Sequence, residues 1–459
     1  MGRFDADFLA QACGGQWSSD QPAEGVSGFS YDTRSLSSGD LFIAIKTPVR
    51  DGHNFLGDAL AKGASAALVE KPIDSVDLPQ LIVSDTLEAF RGIARAYRRQ
   101  WRFPVIGITG SCGKTTVKDL LSILLGGVDS VHSTAGNLNN LIGVPSTILE
   151  ADKDRVSFAV IEAGISEPGE MEKLAWTIEP DVALFTAIGP AHLEGLGNLD
   201  TIAREKGFLA VEGKTERIYL GRTWKPYASV VANGNGLTLE ENSEPCSKWS
   251  YRKRFEGQGT RIEVMGPDGL EDYWIETLGE GSASNAALAI AVSRDLGVPQ
   301  KRVEDRLRGW RPSGMRGEWR SIGHTRAYID CYNANPLSMI DSLDAFRQMS
   351  TGPRLYVIGS MEELGTQSAM LHEQLGAELE LRPKDEIRLI GDWAKSIFKG
   401  MESAGHNMNQ VEIVESVEAL EPLLGRFVGD VFLKGSRRYR LETAIDYIKA
   451  ETIEERASC

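Results

Sequence analysis

The sequence is short of several things, and each shortage excludes a class of protein. Cysteine is scarce: five residues in 459, at 13, 112, 246, 331 and 459, an odd number with no CxxC pair and no zinc spacing. That usage argues against a disulfide-stapled secreted fold and suits a reducing compartment, where thiols stay free. Positive charge is also short. Fifty Lys and Arg against 65 Asp and Glu leave a net charge of −15, which argues against a broad nucleic-acid footprint. An anionic ligand must then be held by a local site that overcomes the overall field. No apolar run approaches the roughly 18–20 residues that span a bilayer. The opening stretch carries Asp5 and Asp7 and lacks the apolar core of a signal peptide, and Ala6 breaks the myristoylation pattern. The expectation is a cytoplasmic protein with no membrane span and no nucleic-acid partner. With no oligomer signal in the sequence, it is expected to be a monomer.

What remains is ordinary globular composition, 42% hydrophobic and 25% charged, in a chain long enough for about three domains. Residues 1–102 mix short strand-like runs at 41–45, 66–69 and 81–83 with glycine turns and one helical stretch at 87–99, which Pro104 closes off. Residues 103–312 alternate strand and helix. Strands are expected at 105–109, 158–162 and 182–188, and helices at 115–125, from Pro168 to 178, at 199–211, 283–296 and 301–310. The strands are apolar throughout, the mark of a parallel sheet buried on both faces. Around 249–279 the text becomes aromatic and alternating, with Gly-Pro-Asp-Gly at 266–269 as a hairpin signal. After Pro312-Ser313-Gly314, residues 313–459 repeat the alternation five times, with strands expected at 327–331, 354–358, 386–390, 411–414 and 431–433, each followed by a helix. The fold class expected is α/β: a small substrate-binding unit, a central ATPase-like parallel sheet and a C-terminal Rossmann-like doubly wound unit. The last unit has no GxGxxG after its first strand, so a dinucleotide fingerprint is not supported.

The sharpest chemical signal is Gly-Ile-Thr-Gly-Ser-Cys-Gly-Lys-Thr-Thr over 107–116, between an apolar strand and a helix. Gly110, Ser111, Cys112, Gly113, Lys114, Thr115 and Thr116 offer close backbone N–H groups, a helix N-terminus, an ammonium for the β- and γ-phosphates and hydroxyls for magnesium. The strict motif wants glycine at 108, which is Ile108, but the strand–loop–helix context supports a bound ATP or GTP. Glu162 ends the next strand, where ligands of open α/β sheets gather; on its own chemistry it is equally a metal ligand or a capped strand end. His192, in Gly-Pro-Ala-His-Leu-Glu-Gly over 189–195, follows the third strand and stands as evenly between ligand and structural hydrogen-bonder. Lys206 reads on chemistry alone as a solvated helix lysine. The amides of 134–147 suit a polar uncharged ligand or a turn cluster. Asp330 with Tyr-Asn-Ala-Asn-Pro over 332–336 suits recognition of a base and ribose, or the capping of a helix.

Taken together these stretches resemble the Mur ligases over nearly the whole chain and all three zones. The carriers are Tyr-Asp-Thr-Arg at 31–34, Gly-Asp-Leu-Phe at 39–42, Asp-Gly-His-Asn-Phe at 51–55, the 109–116 loop, Gly-Asn-Leu-Asn-Asn at 136–140, Glu162, the 189–195 stretch and Lys206-Gly207. In the last zone they are Met-Arg-Gly-Glu at 315–318, the 330–336 stretch, Glu-Leu-Gly at 363–365 with His372, and Lys-Gly-Ser-Arg at 434–437. The resemblance implies ATP-driven amide formation between a UDP-N-acetylmuramoyl-tripeptide and D-alanyl-D-alanine, through an acyl phosphate, as a cytoplasmic step of peptidoglycan precursor synthesis. It implies Lys114 on the β- and γ-phosphates, Thr115 on a first magnesium, and Glu162 and His192 on a second. Lys206 would be a carbamylated lysine shaping the metal site. Asn285, Arg316 and Asp330 would contact the base, phosphate and ribose of ATP, with Tyr332 and Asn333 lining that pocket. Asp32, Thr33 and Arg34 would bind the uridine diphosphate, and Asn137, Asn139 and Asn140 would face the muramoyl substrate. ATP contacts from two zones imply closure about hinges near 312–314 and Pro104. The chain departs from its relatives at Gly281 and Ser282, where they often carry His-Asn, and at Ser360, where an aspartate is common. A sibling ligase that adds a single amino acid, and a nucleotide-binding scaffold without turnover, are the competing readings.

Overall fold

The structure, a computed structural model, describes residues 3–18, 21–22, 24–231, 237–241, 249–312 and 314–448. Cys246, Cys459 and Ser313 lie outside them. Among the described residues, Cys13, Cys112 and Cys331 are free thiols, and no helix is long and apolar enough to cross a membrane.

The first zone forms a five-stranded sheet in the order Gln16–Trp17, Gln80–Ile82, Ala66–Val69, Leu41–Ile43, Phe29–Ser30, parallel except for its first strand. Helix Thr86–Arg98 lies against it, started by the Asp85 side chain, which accepts from the Glu88 amide, and ended by Arg95 and Arg98 in the last turn. These arginines also fasten the zone to the next one. Arg98 donates to the Ile178 and Glu179 carbonyls at 2.9 and 2.8 Å, while Arg95 and Arg99 both reach the Glu179 carboxylate at 2.6 Å.

The central sheet has six parallel strands in the order Leu237–Thr238, Arg217–Leu220, Val182–Phe185, Val105–Thr109, Phe158–Glu162, Val131–Ser133. Val105–Thr109 is buried along its whole length because helices cover both faces, which is why it reads as an unbroken apolar run. The chain leaves that strand for one side of the sheet, then returns past it to Val182–Phe185 on the other. Its C-terminal end is therefore a switch point, where open α/β sheets form their ligand crevice. Beyond it, Ser250–Glu256, Gly259–Gly266 and Gly269–Ile275 make an antiparallel meander, with the short strand Glu240–Glu241 at its edge. Gly266 pairs with Gly269 across the two-residue loop, as the hairpin signal predicts.

The C-terminal sheet runs Glu318–Ile322, Thr325–Ile329, Asp430–Lys434, Arg354–Gly359, Glu386–Ile390, Val411–Val414. Five strands are parallel, and buried clusters lie on its two faces, as in a doubly wound fold.

Several boundaries differ from the sequence reading. The strands Val131–Ser133, Arg217–Leu220 and Glu318–Ile322, the first and last of them at sheet edges, lie outside that reading. Val182–Phe185 stops short of 188, and Leu199–Gly207 stops short of 211. Pro168 does not open the next helix. Gly169, at φ 81°, precedes Glu170–Ile178 instead, and Glu170 takes the Ser166 and Glu167 amides at 2.7 and 3.0 Å. The last two C-terminal strands are followed by short turns at Glu418–Leu420, Glu421–Leu424, Arg437–Tyr439 and Leu441–Tyr447, not by full helices.

Candidate active site

A cavity of about 730 Å³ lies over the C-terminal ends of the central strands, and the C-terminal sheet closes its far wall. Ser111, Cys112, Gly113, Lys114, Thr115 and Thr116 line it, as do Asn137, Asn139, Asn140, Glu162, His192, Asn285, Arg316, Asp330, Tyr332 and Asn333. Residues spread over two hundred positions of sequence meet in one chamber.

The loop before helix Lys114–Leu125 is shaped for an anion. Gly113 precedes the helix at φ 84°, no side chain caps its first turn, and its amides are left for a ligand. A Cβ on Gly113 would fall 2.5 Å from Asn285 Oδ1, so glycine is required both for the backbone conformation and for the fit against Asn285. Lys114 Nζ donates to the Gly110 carbonyl at 2.9 Å, and burial pulls its ammonium below the usual lysine range. Gly110 contributes through that carbonyl and does not itself line the cavity. Burial pushes the Cys112 thiol up to about 11, which leaves it a packing group and no nucleophile.

The strand-end carboxylate is not a mere cap. Glu162 accepts from Thr115 Oγ1 at 2.9 Å and from Asn139 Nδ2 at 2.8 Å, so residues expected on the first magnesium, the second magnesium and the muramoyl substrate touch one another. Asn140 serves the backbone, taking the Ile142 and Gly143 amides. His192 sits in the left-handed region at φ 54°, and its Nδ1 faces the Glu363 carboxylate, which leaves Nε2 for other partners. Glu363 belongs to the C-terminal region, and its carbonyl also accepts the Glu194 amide at 3.1 Å. The contact holds the imidazole in one orientation, as outer partners of ligating histidines do.

Lys206 is not the solvated lysine its helix position suggests. It is 1% exposed, and its Nζ has no hydrogen-bond partner among the described residues. Burial, with the like charge of Lys114 next, pushes its ammonium well below the ordinary range, while Glu170 and Glu162 act the other way. A buried, partnerless amine is costly unless it is neutral or converted to something else.

On the C-terminal wall, Asp330 is held by Lys434 Nζ at 2.6 Å and by the Ser342 hydroxyl. Arg316 stacks over the Tyr332 ring at 3.9 Å. Asn333 caps its own turn through the Ala334 amide, and Asn335 starts helix Pro336–Met349 while its Nδ2 reaches the Ser111 carbonyl at 3.3 Å. Asp32, Thr33 and Arg34 lie outside this chamber. Arg34 bends back onto Asp32 at 2.6 Å, which holds that carboxyl well below the usual range. His372 is buried between two backbone partners, accepting the Met361 amide at Nε2, and Ser360 receives the Trp393 amide. Lys434, Glu363 and Asp341 have places here that sequence reasoning did not assign. Lys434 and Glu363 carried a local signal, in the Lys-Gly-Ser-Arg and Glu-Leu-Gly stretches, and Asp341 carried none.

The donors fit magnesium held through phosphate. Among the described residues, no three His, Cys, Asp or Glu side chains gather into a closed metal cage. Magnesium bound with substrate phosphates needs only one or two carboxylates and keeps several waters, which Thr115 and Glu162 can supply.

This combination of a glycine-rich strand-to-helix loop ending in Lys114, a partnerless buried lysine and a facing wall of carboxylate, aromatic and amide groups from a second α/β unit fits a nucleotide-driven ligase. Three family models match: the Mur ligase family catalytic domain over 25–98, the Mur ligase middle domain over 108–293, and the Mur ligase glutamate ligase domain over 315–433. The chain belongs to the Mur ligase family. Within it, the UDP-N-acetylmuramoyl-tripeptide–D-alanyl-D-alanine ligase of Escherichia coli is 30% identical over 93% of this chain and 94% of its own length. The crystal structure of MurF from Acinetobacter baumannii superposes with a TM-score of 0.87 at 28% identity, covering 96% of this chain and 98% of its own. The MurF ligase of Thermotoga maritima in complex with ADP gives 0.78 at 27% identity, over 92% and 96%.

Proposed function

We propose that this protein joins D-alanyl-D-alanine to a UDP-N-acetylmuramoyl-tripeptide at the expense of ATP, releasing ADP and phosphate, in the cytoplasm and as a monomer. The convergence of the 110–116 loop, Glu162, His192 and Asp330 on one cavity carries this reading, and the near full-length likeness to ligases of that name supports it.

The chemistry explains the residues. The tripeptide's terminal carboxylate is an anion with a poor leaving group, so an amine does not displace it. Transfer of the γ-phosphoryl to a carboxylate oxygen gives an acyl phosphate and ADP. The dipeptide's amine then attacks the acyl carbon, the amide forms, phosphate leaves and the amine gives up a proton. Alignment and charge neutralisation supply most of the rate. Lys114 and the open helix amides take the β- and γ-phosphates. Asn285, Arg316, Asp330, Tyr332 and Asn333 hold the rest of the nucleotide. Thr115 would hold a first magnesium, and Glu162 and His192 a second. Bound magnesium draws charge from the phosphoryl and carboxylate oxygens as a Lewis acid.

Lys206 acts after carbamylation in this reading: its neutral amine adds to carbon dioxide, loses one proton and becomes an anion that complements the metal site. The partnerless Nζ is what supports it. Asp32, Thr33 and Arg34 bind the uridine diphosphate and Asn137, Asn139 and Asn140 face the muramoyl peptide. The work divides among units 1–102, 103–312 and 313–459.

A donor and acceptor panel tests this. ADP release should require both the UDP-tripeptide and D-alanyl-D-alanine. Single amino acids accepted equally well would move the protein to a sibling ligase, and nucleotide binding without turnover would make it a scaffold.

A further inference from the structure

The cavity has two chemically opposite ends. Near the phosphate loop it offers Lys114 and helix amides; on the other side it offers Glu280, Asp341 and Asp344. Helix Glu280–Asp295 connects them, since Asn285 abuts Gly113 and Gly281 abuts Asp341. Positions 281 and 285 are one helical turn apart, about 6 Å along the axis. A nucleotide whose phosphates sit on the loop therefore extends past Asn285 toward Asp341. A carboxylate there cannot serve phosphate and needs a donor.

Asp341 is built into this place. Its Oδ1 accepts the Gly281 amide at 2.7 Å, and its Oδ2 has no hydrogen-bond donor among the described residues. A Cβ on Gly281 would fall 2.6 Å from Oδ2, so any side chain at 281 would evict the carboxylate. Gly281 with Asp341 is therefore a matched pair. Burial, with Asp330 and Glu280 nearby, pushes the Asp341 carboxyl up to about 6 against the pull of the Gly281 amide and Lys434, so the anion benefits from a further donor.

We infer that Asp341 is the base-reading residue of the nucleotide site, accepting a hydrogen bond from the exocyclic 6-amino group of adenine. This rests on the ligase reading above. A carboxylate in that position favours adenine and rejects a 6-oxo purine, whose oxygen would face it without a proton.

The test compares kcat/KM, by phosphate release with both co-substrates, for ATP, for purine riboside triphosphate (ATP without its 6-amino group) and for 2′-deoxy-ATP. The unmodified protein should prefer ATP over the amino-deleted nucleotide about tenfold or more. Asp341→Ala should bring that ratio to within about twofold of unity. Asp341→Asn keeps an acceptor for the Gly281 amide and should lower the ratio at least about threefold, a neutral acceptor being roughly half as strong. The ratio for 2′-deoxy-ATP should not move. A carboxylate that only caps the helix would weaken stability and leave the amino ratio intact, which overturns the inference. A change in the 2′-deoxy ratio instead makes Asp341 a ribose contact and overturns it as well. No ADP from the unmodified protein with ATP and both co-substrates would refute the ligase reading, not this one.

Discussion

Lys206 and Lys114 have the same side chain and opposite tasks. Lys114 ends a local motif whose meaning is set by its neighbours in sequence, and its charge compensates phosphate. Lys114→Ala should therefore cut turnover by about a hundredfold or more, as the loss of one preorganised charge at a reacting group does, checked by ADP release at saturating ATP. Lys206 gets its meaning from burial, which no helix periodicity reveals, so its letter suggests a solvated cation. Lys206→Ala should lose turnover to a similar extent and recover part of it with acetate or formate, small anions that can enter the space of the carbamate. Full activity without an added acid would contradict the assigned role. The same distinction explains what was legible at this scale. Thr115 and Glu162 could be read from a motif and a strand end, and the contact between them follows from the sheet. Asp341 could not, because Gly281, which it meets, comes from another element; Glu363 stands in a quoted stretch, but its pairing with His192 was not legible for the same reason.

At the scale of elements, the phosphate loop depends on how one helix begins. Gly113 holds φ 84° and stands where a Cβ would strike the Asn285 amide. Gly113→Ala combines backbone strain of about 1–2 kcal/mol with displacement of a nucleotide contact. The KM for ATP should rise about tenfold while the far-ultraviolet spectrum stays unchanged; an unaltered KM would show that the cradle tolerates the extra carbon. The elements that could be read from sequence are those whose burial is complete on both faces, such as Val105–Thr109 and Arg354–Gly359. Those that escaped are short strands whose burial is incomplete. Glu318–Ile322 has no fully buried residue and Arg217–Leu220 begins on an exposed arginine, so neither shows an unbroken apolar run. Their pairing comes from the neighbouring strand, which the local text does not contain.

For the whole molecule, the question is what keeps the three zones in one arrangement around the cavity. On the C-terminal side the polar ties include Asn335 to Ser111, Gly281 to Asp341, Glu363 to His192 and Glu194, beside an apolar cluster that takes in Leu193 and Leu364. Those contacts lie at or beside the cavity, so in the proposed reading a nucleotide bound there would act on the same residues that set the domain arrangement. On the N-terminal side the tie is the arginine face of helix Thr86–Arg98, which grips Glu179. Burial raises the Glu179 carboxyl, but hydrogen bonds from Arg99 and Arg95 outweigh it and bring the group down to about 2. Since the folded value lies below the unfolded one, the ionised group stabilises the fold. That contribution is complete above the ordinary glutamate range and disappears as pH falls through about 2. Glu179→Gln should therefore destabilise the protein by about 2 kcal/mol at neutral pH, a modest figure because Arg99 is half exposed. Urea unfolding followed from pH 7 down to pH 2 should show the difference between the two proteins shrinking throughout the acid range. A gap that stays constant with pH would mean that Glu179 acts by packing and not by its charge, and the hold of the first sheet on the second would rest on contacts such as the Arg98 bonds to the Ile178 and Glu179 carbonyls, its ion pair with Asp181 and the Tyr97 hydroxyl on the Ala151 carbonyl.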